Sequence, residues 1–168
     1  MKRILNYITI AVLFFLSTNA YAQNTNRVTG TIGKEKPGND QIVICVLGTQ
    51  ACMPVKIDTN MTVKYQSKDT KFNDLPFGLY LEATIADDKS GETIISDLSV
   101  DETKTVICFT ELKNNQKNKL NEILSKIIGV KSFKMHPESN QVYIEYNPKT
   151  IAYNDLENAI KKQGFELE

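Results

Sequence analysis

The sequence predicts two folded parts in one chain: an all-β sandwich over residues 23–103, followed by an α+β domain of βαββαβ order over residues 104–168. Short apolar runs separated by turn residues recur through the first part without a helical period. The second part carries two apolar stripes at helical spacing. Between the stripes, apolar and polar residues alternate as they do in a half-buried strand. This change of period predicts the boundary near residue 103.

Residues 1–22 have the three-part pattern of a secretory signal peptide. A basic start at Lys2 and Arg3 precedes a short apolar run, and a small-x-small cleavage site ends at Ala22. The apolar run is well short of the roughly 20 residues that a membrane-spanning helix needs. We therefore expect cleavage near Ala22 and a mature chain that is periplasmic or secreted and has no membrane span.

The distribution of charge argues against a nucleic-acid partner. Residues 23–103 carry 8 basic and 12 acidic side chains, and residues 104–168 carry 10 and 8. Neither part has the excess of Lys and Arg that phosphate neutralisation requires. We expect a protein partner, and the candidates are the chain's own N-terminal part, another copy of the chain, or an envelope transport component.

The strands of the first part are predicted from apolar runs bounded by turn residues. These runs are residues 28–32, 42–47, 54–58, 62–65, 79–85 and 93–100. Many short strands at this spacing are typical of a small sandwich. The stretch FNDLPFGLYL over residues 72–81 resembles the F-x-x-L-P-x-G-x-Y segment of carboxypeptidase-regulatory-like, prealbumin-type domains. With the VTGTI opening, this resemblance covers residues 27–103 and implies a non-catalytic spacer or adhesion module.

The helices of the second part are predicted from their apolar faces. The first helix is expected to end before Gly129 and the second before Gly164, because glycine commonly follows the last helical turn. The stripe of the first helix consists of Leu120, Ile123, Leu124, Ile127 and Ile128. The inner face of the second helix consists of Leu156, Ala159 and Ile160.

The strands of the second part follow from alternation and from the needs of the sheet. Residues 130–135 extend, residues 136–140 turn, and residues 165–167 form a closing strand. The inward residues of the strand after the turn are Val142, Ile144 and Tyr146. A βαββαβ sheet needs another strand before its first helix, and residues 105–109 are apolar on both faces, which suits a central strand. The alternative is that this segment ends the sandwich, but we favour the second part.

The frame of residues 104–168 resembles the heavy-metal-associated domain, which has a ferredoxin-like fold. The likeness lies in G-V-K-S after the first helix, the V-x-I-E-Y-x-P strand and the closing A-I-x-x-x-G-F. The resemblance implies binding of soft metal ions by a Met-x-Cys-x-x-Cys loop, whose thiolates suit such ions. The corresponding positions here are Glu111, Lys113 and Gln116. An ammonium group and an amide are poor ligands for copper(I), so the family's metal site cannot be carried over and no cofactor is expected.

Cys45 and Cys52 form a candidate pair. If Gly48 and Thr49 make a two-residue hairpin turn, Cys45 faces Cys52 across the two strands. Because the predicted compartment is oxidising, we predict a disulfide between them. The alternative is a pair of metal ligands reinforced by Met53.

Cys108 and His136 are the other candidate ligands. A lone cysteine on a central strand is usually a small buried apolar residue, and we interpret Cys108 in this way. His136 lies in a predicted turn and is expected to be a solvated turn residue. A single histidine without a paired acid forms no nucleophile–base arrangement, so we expect a protein that is not an enzyme.

Two functional hypotheses follow. In the first, this is an exported non-enzymatic two-domain protein whose degenerate heavy-metal-associated domain serves as an interaction module. Its sheet has helices on one face only, so an apolar face, bearing either Ile107 and Phe109 or Val106 and Cys108, is available to a partner. The alternative is an extracytoplasmic accessory that binds or transports copper or another soft metal ion. It would use the non-standard ligands Cys108, Cys45, Cys52, Met53 and His136.

Overall fold

The computed structural model describes residues 26–168 except 36–37, 39, 50 and 88–90. The predicted signal peptide and its cleavage site therefore lie outside the described residues. The described part is rich in β-structure, with ten strands and two α-helices. Neither of these helices has the length and apolar character that a membrane span requires.

The strands and helices follow one another in the predicted order. They are β1 (Asn26–Ile32), β2 (Gln41–Val46), β3 (Cys52–Lys56), β4 (Thr62–Tyr65), β5 (Lys68–Lys71), β6 (Tyr80–Asp87), β7 (Thr93–Asp101), β8 (Lys104–Cys108), α1 (Asn114–Lys126), β9 (Val130–His136), β10 (Gln141–Tyr146) and α2 (Tyr153–Lys161). Only β5 has no counterpart among the predicted strands.

Five N-terminal strands close into a barrel in the order β1-β2-β3-β7-β6, and β6 pairs back with β1. The strands occupy the predicted stretches, but they do not stack as the two sheets of a sandwich. The physical reason is that β1 pairs along both of its edges, while β3 meets β7 in parallel through the pair Lys56 and Ile94. The ring therefore has no free edge at which two sheets could separate.

The interior of the barrel is apolar. Ile44 and Leu81 are completely buried, and Val55 is nearly so. Burial of a side chain of this size contributes about 1.5–3 kcal/mol to folding. The strand prediction rested on apolar runs bounded by turn residues, and these runs supply most of the buried side chains of the barrel core.

The hairpin β4–β5 forms a separate two-stranded sheet beside the barrel. Its second strand was missed because the sequence KDTK has no apolar residue to mark a period. The turn uses Gln66 and Ser67 in the left-handed region, with φ of 50° and 63°, where glycine or asparagine is the usual signal. Val63 of β4 is buried and joins the barrel core.

The C-terminal strands form a three-stranded sheet in the order β8-β10-β9. Because β8 pairs antiparallel with β10, residues 104–108 belong to this sheet, as we favoured. The predicted closing strand over residues 165–167 is reduced to a single bridge between Phe109 and Leu167, supported by a hydrogen bond from Thr110 N to Glu166 O of 3.2 Å. At this end, β8 pairs with β10 along one edge, and the carbonyl of Cys108 accepts from the N–H of Glu168 at 3.1 Å on the other.

The core of the C-terminal part lies between the sheet and the two helices. The predicted inward residues of β10 are buried, as are Leu120, Leu124, Leu156 and Ile160 of the helices. Ile128 is the exception, because it is 83% exposed. The helix ends at Lys126 rather than next to Gly129, so the chain leaves the helical rotation before Ile128 and its side chain turns away from the stripe.

Candidate functional site

The segment between β8 and α1 carries the positions that correspond, under the resemblance to heavy-metal-associated domains, to the ligand loop of those domains. Lys113 caps the start of α1, and its backbone N–H donates to Oε1 of Gln116 at 3.0 Å. The Lys113 ammonium lies 3.3 Å from the carboxylate of Glu111, and both side chains are largely exposed. The amide of Gln116 therefore satisfies a backbone donor at the beginning of the helix, where such groups lack intrahelical partners. These residues fit a helix cap and do not fit a soft metal ion.

The same segment is anchored to the turn between β9 and β10. The side chain of Leu112 is buried, and its backbone N–H donates to Oδ1 of Asn140 at 3.1 Å. The carbonyl of Asn140 accepts from the N–H of Phe109 at 2.8 Å. Asn140 itself has φ of 52°, a left-handed conformation that asparagine tolerates better than most residues. Two hydrogen bonds to Asn140 thus anchor the loop to this turn.

The five alternative metal ligands do not all lie at one centre. Met53 packs against the barrel core, and His136 ends β9 with Nδ1 3.4 Å from a carboxylate oxygen of Glu138. Within the described ranges, no three His, Cys, Asp or Glu side chains are grouped so that they could hold a metal ion. The non-standard ligand set therefore has no common centre in this structure.

Cys45 and Cys52 are joined in a disulfide, as predicted. They lie opposite each other on β2 and β3, and the N–H of Val46 donates to the carbonyl of Ala51 at 3.1 Å just beyond them. This is the pairing that a turn at Gly48 and Thr49 predicts. While the bond is intact, neither sulfur is a thiolate that could bind a metal ion.

The sheet face opposite the helices packs against the barrel, and we call this contact surface the joint. Gln141 is 2% exposed; its amide nitrogen donates to Val46 O at 3.0 Å, and its Oε1 accepts from Gly48 N at 2.7 Å. The Tyr143 ring meets the Tyr80 ring edge to face, with centroids 5.8 Å apart. Of the two alternatives for the open face, the pair of Val106 and Cys108 is therefore correct, and the barrel covers it.

A third hydrogen bond secures the joint at its other end. The hydroxyl of Thr105, which is fully buried, donates to the carbonyl of Gly78 at 2.7 Å. Ile107 and Phe109 point to the other side of β8 and belong to the helical core. Among the described residues, no buried side-chain nitrogen or oxygen lacks a hydrogen-bond partner, so the joint is satisfied as a polar network.

Cys108 lies at the joint, beside Gln141. Its side chain is half-buried, and Sγ is 3.7 Å from the amide nitrogen of Gln141. Burial raises the pKa of the Cys108 thiol, and the Gln141 hydrogen bond opposes this only in part. The thiol therefore stays protonated at neutral pH, which lowers its reactivity.

A groove of about 670 Å³ runs along the joint. Its lining is mainly apolar and includes Val43, Pro54 and Val106. The disulfide of Cys45 and Cys52 and the free thiol of Cys108 line the same groove. The structure thus brings all three cysteines to one surface. The sequence did not predict that Cys108 would lie near the other two.

One end of the groove is polar and centres on Glu157 of α2, whose side chain is 8% exposed. Its carboxylate accepts from the Tyr153 hydroxyl at 2.7 Å and pairs with the ammonium groups of Lys34 at 3.0 Å and Lys161 at 3.4 Å. Burial alone would raise the pKa of Glu157, but the hydrogen bonds from Tyr153 and Lys34 hold it below its ordinary value. Burial and the bond to Glu157 raise the pKa of Tyr153.

Gln141 and Glu157 were missed by the sequence analysis. Glu157 leaves a faint signal, because it follows the inward Leu156 and stands four residues after Tyr153, the spacing of helical neighbours. Gln141 leaves none, since its partners are backbone groups of a hairpin that is distant in the sequence. Both residues face the barrel, and only the docking of the two parts reveals their role.

Comparison with known proteins gives a distant and partial similarity. The chain is similar to the copper chaperone CopZ of two Staphylococcus epidermidis strains, with 29% identity over 51 residues, which is 30% of this chain and 75% of each relative. No protein-family model and no solved structure matches the chain. The copper-chaperone similarity supports a heavy-metal-associated character in part of the chain. The resemblance of residues 27–103 to carboxypeptidase-regulatory-like domains gains no support.

Proposed function

We propose that this protein is a non-enzymatic interaction protein that works outside the cytoplasm. In this proposal, the stretch similar to CopZ lies within residues 104–168, which form a ferredoxin-like module that has given up metal binding. The module uses its sheet to bind a protein surface, and its first partner is the barrel of the same chain.

The observation that carries the proposal is the occupation of both faces of the module's sheet. One face packs against the helices, and the other holds the barrel through the buried amide of Gln141 and the hydroxyl of Thr105. Buried polar groups with specific partners fix one relative orientation of two surfaces more strictly than apolar contact does. This is the arrangement expected of a docking module.

The state of the ligand-loop positions supports the loss of metal binding. The Gln116 amide caps α1, and the Lys113 ammonium pairs with Glu111. A positive charge at this position repels a cation, and neither group is a soft ligand. Placement outside the cytoplasm is supported by the disulfide between Cys45 and Cys52, since such bonds persist in oxidising compartments.

The alternative, a soft-metal accessory, is favoured by one observation, the similarity to a copper chaperone. A copper(I) titration against a competing chelator, without thiol reductant, distinguishes the two functions. We expect the mature chain to take no copper from a chelator of nanomolar affinity. Copper binding that is lost when Cys108 is changed to serine would instead establish the accessory function.

A gain-of-ligand variant makes the negative result informative. Lys113→Cys with Gln116→Cys restores two thiols at the family spacing, and we expect this variant to bind one copper(I) ion tightly. Asn118→Cys with Asn121→Cys adds the same number of thiols to an exposed stretch of α1 and serves as the matched control. If the restored variant binds no better than the control, the family frame does not apply to this chain.

A further inference from the structure

The tip of the β2–β3 hairpin is the part of the barrel that Gln141 holds. Two of its backbone groups, Val46 O and Gly48 N, lie 3.0 and 2.7 Å from the two polar atoms of the Gln141 amide. One side chain thus binds a donor and an acceptor that are two residues apart. Both bonds form only when the tip keeps the shape that places these groups side by side, so the docking depends on the geometry of the hairpin.

The disulfide lies at the base of this tip. Cys45 directly precedes Val46, and Cys52 directly follows Ala51, so the bond joins the two strands where the turn begins and ends. Within the turn, Thr49 adds hydrogen bonds from its N–H and its hydroxyl to the carbonyl of Val46 at 3.3 and 3.2 Å. These exposed bonds contribute little alone, so the covalent link is the strongest constraint on the tip.

The third cysteine lies beside the same contact. The Gln141 amide that holds the tip also covers Cys108, with 3.7 Å between its nitrogen and Sγ. Cys52 is exposed, and all three sulfur atoms line the groove of the joint, so a small thiol can approach the disulfide along this surface. Release of the tip would remove the barrel side of the cover over Cys108.

We propose that the disulfide between Cys45 and Cys52 is a redox-sensitive clamp that keeps the hairpin tip docked on Gln141, and that its reduction by a dithiol opens the joint at Cys108. A thiolate of the dithiol attacks Sγ of Cys52, the bond between the two cysteine sulfurs breaks, and Cys45 leaves as a thiolate that takes up a proton. The second thiol of the reductant then attacks the mixed disulfide and releases Cys52. Two electrons pass from the dithiol, which becomes a disulfide, to the two cysteines. This proposal does not depend on the function proposed above.

The test compares the alkylation rate of Cys108 in three full-length mature proteins: the wild type, Cys45→Ser with Cys52→Ser, and Gln141→Ala. N-Ethylmaleimide is the probe, and mass spectrometry of peptides locates the adduct. In the oxidised wild type, Cys108 should react slowly. In the double serine variant, we expect the rate to rise about tenfold or more, because local opening exposes the thiol. Gln141→Ala should give a similar rise with the disulfide intact.

Hydrogen exchange on the same proteins separates the clamp from a simple stabilising bond. The clamp predicts faster exchange of the Gly48 amide in the double serine variant, while β1 and β6 keep their protection. An unchanged Cys108 rate in that variant would overturn the proposal. Loss of protection throughout the barrel would overturn it as well, because the disulfide would then support the whole fold and not the joint.

Reduction of the wild-type protein tests the redox step itself. Wild-type protein treated with dithiothreitol should show the same hydrogen-exchange pattern as the double serine variant. A pattern confined to the variant would contradict the redox step.

Discussion

The side chain of Gln141 accepts a hydrogen bond from the backbone N–H of Gly48 at 2.7 Å, although 93 residues separate the two in the chain. The same amide donates to Val46 O, so one buried side chain of β10 forms hydrogen bonds with two backbone groups of a barrel hairpin. We therefore expect the stability of each part to depend on the docking of the other.

Replacement of Gln141 by alanine should lower the free energy of unfolding by about 1–3 kcal/mol, because it removes two part-buried hydrogen bonds, to Gly48 N and Val46 O, each worth about 0.5–1.5 kcal/mol. Urea unfolding followed by far-ultraviolet circular dichroism measures the change. Gln163→Ala, which removes an exposed amide after α2, is the matched control and should change stability by less than about 0.5 kcal/mol. Equal effects of the two variants would mean that the Gln141 contact contributes nothing.

Acidification should weaken the protein through Glu157. The pKa of Glu157 is lowered in the folded state, so its contribution to stability is complete above the pKa of the unfolded chain and is lost as the pH falls through the folded value. Unfolding free energies measured from pH 7 downwards should therefore decline below about pH 4.3, the ordinary glutamate value. In Glu157→Gln, stability at pH 7 should be lower and the decline shallower. Parallel curves for the two proteins would exclude this role.

Gly78 is predicted to be intolerant of any side chain. It has φ of 76°, and a Cβ atom placed there would lie 2.3 Å from the Tyr153 ring. Gly78→Ala should combine backbone strain of about 1 kcal/mol with a further 1–3 kcal/mol of overpacking. Gly91, with φ of 82° and open space around it, gives a control in which only the strain is expected. Thermal or urea unfolding of both variants checks the difference, and similar losses would contradict the close approach to Tyr153.

The exposed position of Ile128 can be tested against a buried neighbour on the same predicted stripe. Leu120 is fully buried, and Leu120→Ala should cost about 2–5 kcal/mol of stability. Ile128→Ala should change stability by less than about 0.5 kcal/mol, because the side chain is 83% exposed. Urea denaturation of the two variants gives both values. A large loss at Ile128 would place it in the core, as its spacing alone suggested.

The local sequence pattern was sufficient to predict those elements that bury an apolar face of their own. The alternation of Val142, Ile144 and Tyr146 and the stripe with Leu120 and Leu124 were recovered because each period reports a buried face. The prediction that Ile128 faces the core was wrong, because the apolar spacing continues past the end of the helix at Lys126. The strand β5 was not predicted, because it pairs with β4 and has no apolar side chain that could indicate a strand.

For the candidate site too, the local features could be predicted and the long-range contacts could not. The pairing of Cys45 with Cys52 follows from the length of a hairpin turn, a local property that the sequence contains. The meeting of this disulfide with Cys108 depends on how the barrel sits on the sheet. Neither Gln141 nor Glu157 could be selected beforehand, because their partners come from distant parts of the chain.

The sequence by itself determined the order of most of the elements, the faces that they bury, the disulfide, and the presence of Lys113 and Gln116 at the start of α1. These properties depend on residues that are close in the chain, and each is set by a spacing. Only the tertiary structure decided that the strands close into a barrel and that the barrel covers the open face of the sheet. Ring closure and docking join groups that are far apart in sequence, and each of the hydrogen bonds described here has a backbone group as at least one partner. Because nearly every residue carries these backbone groups, such bonds leave little trace in the side-chain pattern.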